Sequence, residues 1–513
     1  MEECTVTARG RLGQLLRHGP ADAHAIHFAG EWTTWGDLAR LARELDALLD
    51  AEGLGESSRI GVILENRPEH VGTVVALIAS GRTIVSLSPL QPDDRLISDV
   101  RACRLPAVIA SPESLARPGV RAAVEECGVV VELRADLTVA RAGGAVATDE
   151  VSAEGTVLEM LTSGTTGPPK RVRIGPVQLE KSLNAGGPAP APDRLLRSGT
   201  SVVYTPLVHI SGMWGSVAPL YAGRRIALLP RFSLGPWLEA IETHRPRTSS
   251  AVPAVIRAIL EADVPPERLA SLKAVTSGTA PCPPELVGAM LDKYGIRVLT
   301  TYGATEFAGA VAAWTYDLHR EWWDRKVGST GRAMRGVELR IVDPDTDEVR
   351  APGEPGILEV RAAQSVRGAD EWVRTSDLAR IDEDGFLFID GRADDVIIRG
   401  GFKVHPGQVA AVLQKHPAVA AAGVAALTHP RLGSVPVAAV EVVPGAPRPT
   451  AAELDALARE SLLPYEVPAH IAIVDGLPRT PSMKISRVEL LDLVRADMDG
   501  AQASREDVQA PAV

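Results

Sequence analysis

The chain has 513 residues, enough for two or more domains of ordinary size and a sizeable buried core. Apolar residues make up 45% and charged residues 23%, near the soluble average, and no apolar run approaches the roughly 18 residues that a membrane span requires. A formal charge of -11 disfavours sequence-independent nucleic-acid binding, which relies on a basic surface, yet leaves room for small anions held by a few local donors.

The start, MEECTVTARG, shows no basic segment followed by an apolar one, so the reading is of a cytoplasmic chain. Cys4, Cys103, Cys127 and Cys282 lack CxxC spacing, which argues against a disulfide framework or a zinc site. Thr34 can cap a helix through TWGDLARLARELDALLDAEG, where Leu38, Leu41, Leu45 and Leu48 recur at helical spacing before Gly53 stops it. RIGVIL, the helical stretch from Pro68 to Ser80, and TIVSLS after Gly81 then read as strand, helix, strand. The rhythm returns in SVVYTP, GMWGSVAPLYAG and RIALLP, and again in LKAVTSG, PPELVGAMLDKYG and VLTTYG. Such alternation predicts a large α/β N-terminal domain with doubly wound mixed sheets.

From Val327 to Ala362 short runs broken by Gly and Pro predict hairpins in a small β-rich subdomain. Beyond GRADDVI, two helices (GQVAAVLQKHP, TAAELDALARESL) and strands such as VPVAAVEVV and AHIAIVDG predict a small α+β C-terminal domain. The boundary is placed at Asp394, giving 1–393 and 394–513. The tail AQASREDVQAPAV shows no periodicity and is expected to be mobile.

LTSGTTGPPKRV, residues 161–172, joins the probable strands TVLEML and RVRI. It is not a Walker A loop, because Lys170 follows Gly167 by three residues and no helix comes next. The physical logic is related. Glycines let backbone N–H groups approach phosphate oxygens, Thr162, Ser163, Thr165 and Thr166 add hydroxyls, and Lys170 adds a mobile charge.

TYGATE (301–306), RTSDLAR (374–380), GRADDVIIRGGFKVHP (391–406) and PRTPSMKISR (478–487) follow in order. Together the five motifs resemble the adenylate-forming superfamily, in its acyl-CoA synthetase/ligase branch. That resemblance implies an enzyme in which a carboxylate attacks the α-phosphate of ATP and a thiol then attacks the acyl-adenylate. By the same resemblance, Thr162, Ser163, Gly164, Thr165, Thr166, Gly167 and Lys170 hold the outer phosphates. Tyr302 stacks on adenine, Thr305 lies near the α-phosphate, Glu306 holds Mg2+, and Asp377 with Arg392 grips the ribose. Lys484, on a mobile C-terminal domain, bridges carboxylate and α-phosphate. Asp394 matches the hinge of domain alternation, and Gly400 and Gly401 match the glycines of a pantetheine tunnel for coenzyme A.

Amino-acid-activating relatives carry an aspartate where this chain has YTPLVHISGM, and His209 matches the ring beside the substrate carboxylate in CoA ligases. The resemblance places the acyl pocket along His209 to Ser216, Ser277 to Ala280, and Tyr302 with Gly303. Small residues there (Ser211, Gly212, Gly215, Ser216, Gly278, Ala280), beside Ser277, Thr279 and Gly303, suggest room for a bulky or long apolar acid, with a lean towards specialised metabolism.

Three positions depart from the family pattern: Arg171 in place of a glycine after Lys170, Ser376 in place of the glycine of TGD, and Met483 in place of the glycine before Lys484. Three readings follow. Arg171 points to solvent in an ordinary ligase, or it adds a cation for phosphate, or Arg171 and Met483 weaken adenylation so that the chain only thioesterifies an acyl-AMP made by a partner adenylating enzyme. Loading of a carrier protein and a nucleotide-binding protein without turnover are further alternatives. The expected small molecules are a carboxylic acid or its adenylate, ATP, Mg2+ and coenzyme A.

Overall fold

Val62 and Gly61 illustrate how the central sheet is made: alternate residues of a buried parallel strand face opposite layers, and both layers are apolar. The computed structural model describes residues 7–148, 151–162, 170–185, 194–399, 402–479 and 484–509. A seven-stranded sheet runs in the spatial order 139–143, 129–133, 107–110, 59–63, 83–87, 158–162 and 170–174. Its inner strands are parallel, and the two edge strands, Val139–Gly143 and Lys170–Ile174, are antiparallel to their neighbours. Ile60, Val62 and Ile84 pack on one face with the helices Trp35–Ala51 and Pro68–Ser80. Ile63, Val85 and Leu87 pack on the other with Asp93–Cys103 and Val120–Glu125.

The local signals act as expected. Thr34 and Asp37 form a reciprocal capping box at the start of Trp35–Ala51. The helix Pro68–Ser80 begins on its proline and ends where Gly81 turns left-handed at φ 79°. The buried stripe of Trp35–Ala51 is Leu38, Leu41, Leu45 and Leu49, with Leu48 only partly buried.

By internal contacts the chain divides into Met1–Glu338 with Arg361–Val373, and Leu339–Val360 with Arg374–Val513. The first unit also holds a four-stranded sheet (200–203, 225–228, 24–28, 31–34) and a five-stranded one (248–250, 274–277, 297–304, 309–313, 332–333). The second groups the hairpin sheet Val337–Val342, Gly356–Ala362, Val373–Ile381 and Leu387–Arg392 with the C-terminal elements. Those are the strands Ile397–Arg399, Phe402–Val404, Val419–His429, Gly433–Val442 and Ile471–Val474, with the helices Pro406–Leu413, Ala451–Ser461 and Arg487–Gln509. The tail is corrected in part: the last helix extends to Gln509, because AQASREDVQ holds mostly good helix formers and no proline. Among the described residues no helix is long and apolar enough to cross a membrane.

Two histidines are locked into the first unit's interior. His70 and His319 are fully buried, and burial pushes both from 6.5 down to about 4. His319 stacks on Trp323 with centroids 4.8 Å apart. Arg297 Nη1 donates to its Nδ1 at 3.1 Å, so that nitrogen is the bare one. Between pH 6.5 and 4 the unfolded chain binds protons that the folded chain refuses. The stability is therefore complete above pH 6.5 and drains away as pH falls towards 4, by up to about 1.4 kcal/mol per pH unit for each histidine. Urea unfolding should show this loss, and His319→Phe, which keeps the stacking, should make the slope shallower by about 1 kcal/mol per pH unit. An unchanged slope would show that His319 titrates normally in the fold.

Candidate active site

In the first unit the TYGATE motif is a bulged hairpin. Tyr302 pairs with Ala312 and Gly303 with Ala310, and the register slips between them. The extra residue, Val311, lies on the partner strand 309–313, and a bulge bends the strand that carries it. Gly303 is required for this: a Cβ there would lie 2.2 Å from the Gly309 carbonyl oxygen. Thr305, Glu306 and Phe307 then form one 3-10 turn, in which Phe307 is buried and Glu306 is exposed. Val366 N donates to the Glu306 carbonyl at 3.0 Å and Trp214 Nε1 to the Ala308 carbonyl at 2.6 Å, which fixes the turn from both sides.

His209 sits at the N-cap of the helix Ile210–Tyr221, half-buried. The loop leading to it is held by a residue that the motif reading passed over. Asn66 donates through Nδ2 to the carbonyls of Tyr204 (3.3 Å), Thr205 (3.0 Å) and Leu229 (3.2 Å), and its Oδ1 accepts from Leu207 N at 2.9 Å. Asn66 follows the strand Arg59–Ile63 by three residues, so it ties the seven-stranded sheet to the 204–209 loop. A polar residue just past a buried strand, before Pro68, was the available signal.

The expected acyl wall needs correction. Gly212 and Ser216 are buried, and a Cβ on Gly212 would lie 2.1 Å from the Pro206 carbonyl oxygen. That glycine lets helix and loop touch; it does not open volume. At Gly278 the corresponding space is taken by Thr301 Oγ1, 2.6 Å away, and Ser277 is buried. The half-exposed stripe of the helix is Ser211, Trp214, Gly215 and Ala218. Thr279 holds φ 67°, an outlier for a β-branched residue that costs on the order of 1–3 kcal/mol.

Leu158–Thr162 and Lys170–Ile174 form an antiparallel hairpin with Thr162 opposite Lys170 and Leu161 opposite Arg171. The loop residues Ser163, Gly164, Thr165, Thr166 and Gly167 lie outside the described residues. Arg171 answers neither of the expectations made for its direction. Its Nη2 meets Asp99 Oδ1 at 2.7 Å and its Nη1 donates to the Ser86 carbonyl at 3.0 Å, with only 17% of the side chain exposed. Alongside it Glu159, 2% exposed, takes Arg59 on both oxygens at 3.3 and 3.2 Å. A cleft of about 470 Å³ opens here, but its lining charges Arg59, Asp99, Glu159, Arg171 and Arg173 already pair among themselves. Burial pushes the neighbouring Cys103 thiol up to about 11, so it stays protonated.

In the second unit, Asp377 and Arg392 are directly opposed across the hairpin of Val373–Ile381 and Leu387–Arg392. Arg392 Nη2 also bonds Ser376 Oγ, and Thr375 Oγ1 donates to the Leu358 carbonyl at 2.8 Å. Asp394 lies in the turn Ala393–Asp395. Gly400, Gly401 and Met483 lie outside the described residues. Lys484 is exposed, just before the bridge residue Ile485.

Residues 15–368 match the model of the AMP-binding enzyme family, and residues 408–484 that of the AMP-binding enzyme C-terminal domain. The chain belongs to the AMP-binding enzyme family. It is 30% identical to the 2-succinylbenzoate–CoA ligase of Bacillus velezensis over 496 residues, covering 92% of this chain and 96% of that one. It is 28% identical to 4-coumarate–CoA ligase 1 of Oryza sativa subsp. japonica, over 89% of this chain and 86% of that one. Among solved structures it is similar to the o-succinylbenzoate CoA synthetase of Bacillus subtilis bound to its acyl-adenylate intermediate (TM-score 0.77, 25% identity, 94% of this chain and 97% of that one). It is similar too to the amide bond synthetase of Marinactinospora thermotolerans (TM-score 0.77, 27% identity, 94% and 99%).

ATP, Mg2+ and coenzyme A fit this family member. Magnesium is bound by one or two carboxylates together with phosphate oxygens and waters. The exposed carboxylate of Glu306 is a donor of this kind.

Two substitutions test these contacts. Arg171→Gly strips Asp99 of its partner and should cost roughly 2–4 kcal/mol of unfolding free energy, without raising acid-dependent pyrophosphate release. A gain in that release would give Arg171 a role at the phosphates. Asn66→Asp keeps the acceptor and loses both donors. It should lower kcat/KM for the acid about tenfold while the KM for ATP stays within about twofold, measured by steady-state kinetics.

Proposed function

We propose that this acid–thiol ligase joins a bulky, apolar carboxylic acid to coenzyme A through an acyl-adenylate. The observation that carries this reading is the full motif order on a fold matched end to end by CoA ligases, with Asp377 opposed to Arg392 and Tyr302 to Glu306 set on a bulged turn. An acid with a flat body suits the half-exposed stripe Ser211, Trp214, Gly215 and Ala218, since the Trp214 indole is pinned by its bond to Ala308. The relatives named above act on 2-succinylbenzoate and 4-coumarate, acids of that shape.

The chemistry has two displacements. A carboxylate oxygen of the acid attacks the α-phosphorus of ATP as the bond to pyrophosphate breaks. The thiol sulfur then attacks the acyl carbon, loses its proton, and expels AMP. Lys484 neutralises charge between carboxylate and α-phosphate in the first step, Thr305 donates beside that phosphate, and His209 orients the carboxylate. Asp377 and Arg392 hold the ribose, and Thr162 and Lys170 flank the loop for the outer phosphates. Glu306 would hold magnesium, which would offset the phosphate charge that repels an incoming carboxylate. Asp394 is the pivot between the steps, and Gly400 with Gly401 admits the pantetheine arm.

Arg171 and Ser376 both have internal partners, which favours an ordinary two-step ligase over a chain confined to thioesterification. One pair of assays tests this on 4-coumarate, 2-succinylbenzoate, anthranilate and long-chain acids: pyrophosphate release with ATP, and acyl-CoA formation from the premade adenylates. Activity in both is expected. Thioester formation alone would establish the second reading, and thioester formed only on a phosphopantetheinylated carrier protein would replace coenzyme A as acceptor.

A further inference from the structure

The segment that carries Lys484 is fastened at both limbs. Arg479 and Ile485 bridge as antiparallel partners, and Ser486 N donates to the Pro478 carbonyl at 2.9 Å, which brings the two limbs, 477–479 and 484–487, together. On the entering limb, Glu441 Oε2 accepts from Leu477 N at 3.0 Å and from Arg479 Nη2 at 2.9 Å. On the leaving limb, both terminal nitrogens of Arg487 take the two oxygens of Asp395. Asp395 is only 6% exposed on its side chain, so its carboxylate depends on this partner. It is also the residue after Asp394, while Arg487 opens the last helix three residues after Lys484.

A forked pair fixes direction as well as distance, because two parallel N–H···O bonds leave the guanidinium little rotation. The packing agrees: a Cβ on Gly423 would meet Ile485 Cγ2 at 3.1 Å, so the hairpin base rests tightly on the strand Val419–His429. We infer that Asp395, through Arg487, is a positioning residue for Lys484, which makes the lysine's placement follow the backbone at Asp394. The inference rests on the reading that Lys484 serves adenylation. It carries a selectivity that a general scaffold contact lacks: the thiol step does not use Lys484, so loosening the clamp harms the first half-reaction and spares the second.

The test compares Asp395→Asn, Arg487→Ala and Arg487→Lys with the wild type and with Lys484→Ala. Arg448→Ala, which breaks an exposed pair with Asp475 on the same unit, is the control for any surface charge change. Acid-dependent pyrophosphate release with the best acid of the panel should fall about 10- to 100-fold in Asp395→Asn and Arg487→Ala. Arg487→Lys keeps the charge without the fork and should fall between these and the wild type. Acyl-CoA formation from the premade adenylate should stay within about threefold, and hydrogen exchange at the Ser486 amide should quicken. Equal losses in both half-reactions would overturn the inference, as would no loss in either while Lys484→Ala abolishes pyrophosphate release. If Lys484→Ala leaves that release intact, the reading of Lys484 fails first and the inference falls with it. A wild type that releases no pyrophosphate with any acid overturns both.

Discussion

The buried pair of Arg59 and Glu159 sets the terms for the first unit. Glu159 stands on a strand that continues straight into the hairpin loop, and its carboxylate faces the layer opposite Leu158 and Met160. A charge so deeply placed costs several kcal/mol to desolvate, and it is retained only where a fork of donors meets it. Arg59 provides the fork, and Arg173 approaches the same oxygen at 3.5 Å from the edge strand. Losing the Arg59 fork leaves Glu159 with only the longer approach of Arg173, so the register of the strands 59–63, 158–162 and 170–174 is specified by charge as well as by apolar alternation. Arg171 extends this ladder by one rung to Asp99. Thr162 and Lys170, which flank the loop, thus stand on a base whose geometry has little freedom.

Much of this architecture was legible because local chemistry and global fold agree. Pro68 and Gly81 bound their helix on backbone grounds alone, and the Thr34 capping box needs only residues three apart. Asp377 and Arg392, read from their motifs as one pair, stand opposite each other across two strands. What stayed hidden was long-range. Arg171 finds Asp99 across 72 positions, and Asn66 finds the carbonyls of Tyr204 and Leu229 across 138 and 163. The order of strands in the sheet is not their order in the chain, so no spacing rule reveals such partners. The glycines of the acyl region misled for a related reason: a missing side chain signals either empty space or a close backbone approach, and only coordinates distinguish the two.

The residues of the proposed site fall on both units. Tyr302, Thr305, Glu306 and His209 belong to the first, and Asp377, Arg392 and Lys484 to the second. Each group is fixed within its own unit by short-range bonds: the bulged hairpin with Trp214 in one, the paired strands and the anchored hairpin in the other. Such a division suits an enzyme whose two displacements need different groups beside the same acyl carbon, because internally rigid parts can be re-presented without being rebuilt.

The departures from the family pattern bear on the same point. A side chain added where relatives carry glycine is harmful if it occupies the space of a ligand, and neutral if it turns inward to a partner of its own. Arg171 turns to Asp99 and the Ser86 carbonyl, and Ser376 Oγ accepts from Arg392. Both additions therefore bind protein groups within their own unit. That is the signature of variation absorbed by the scaffold.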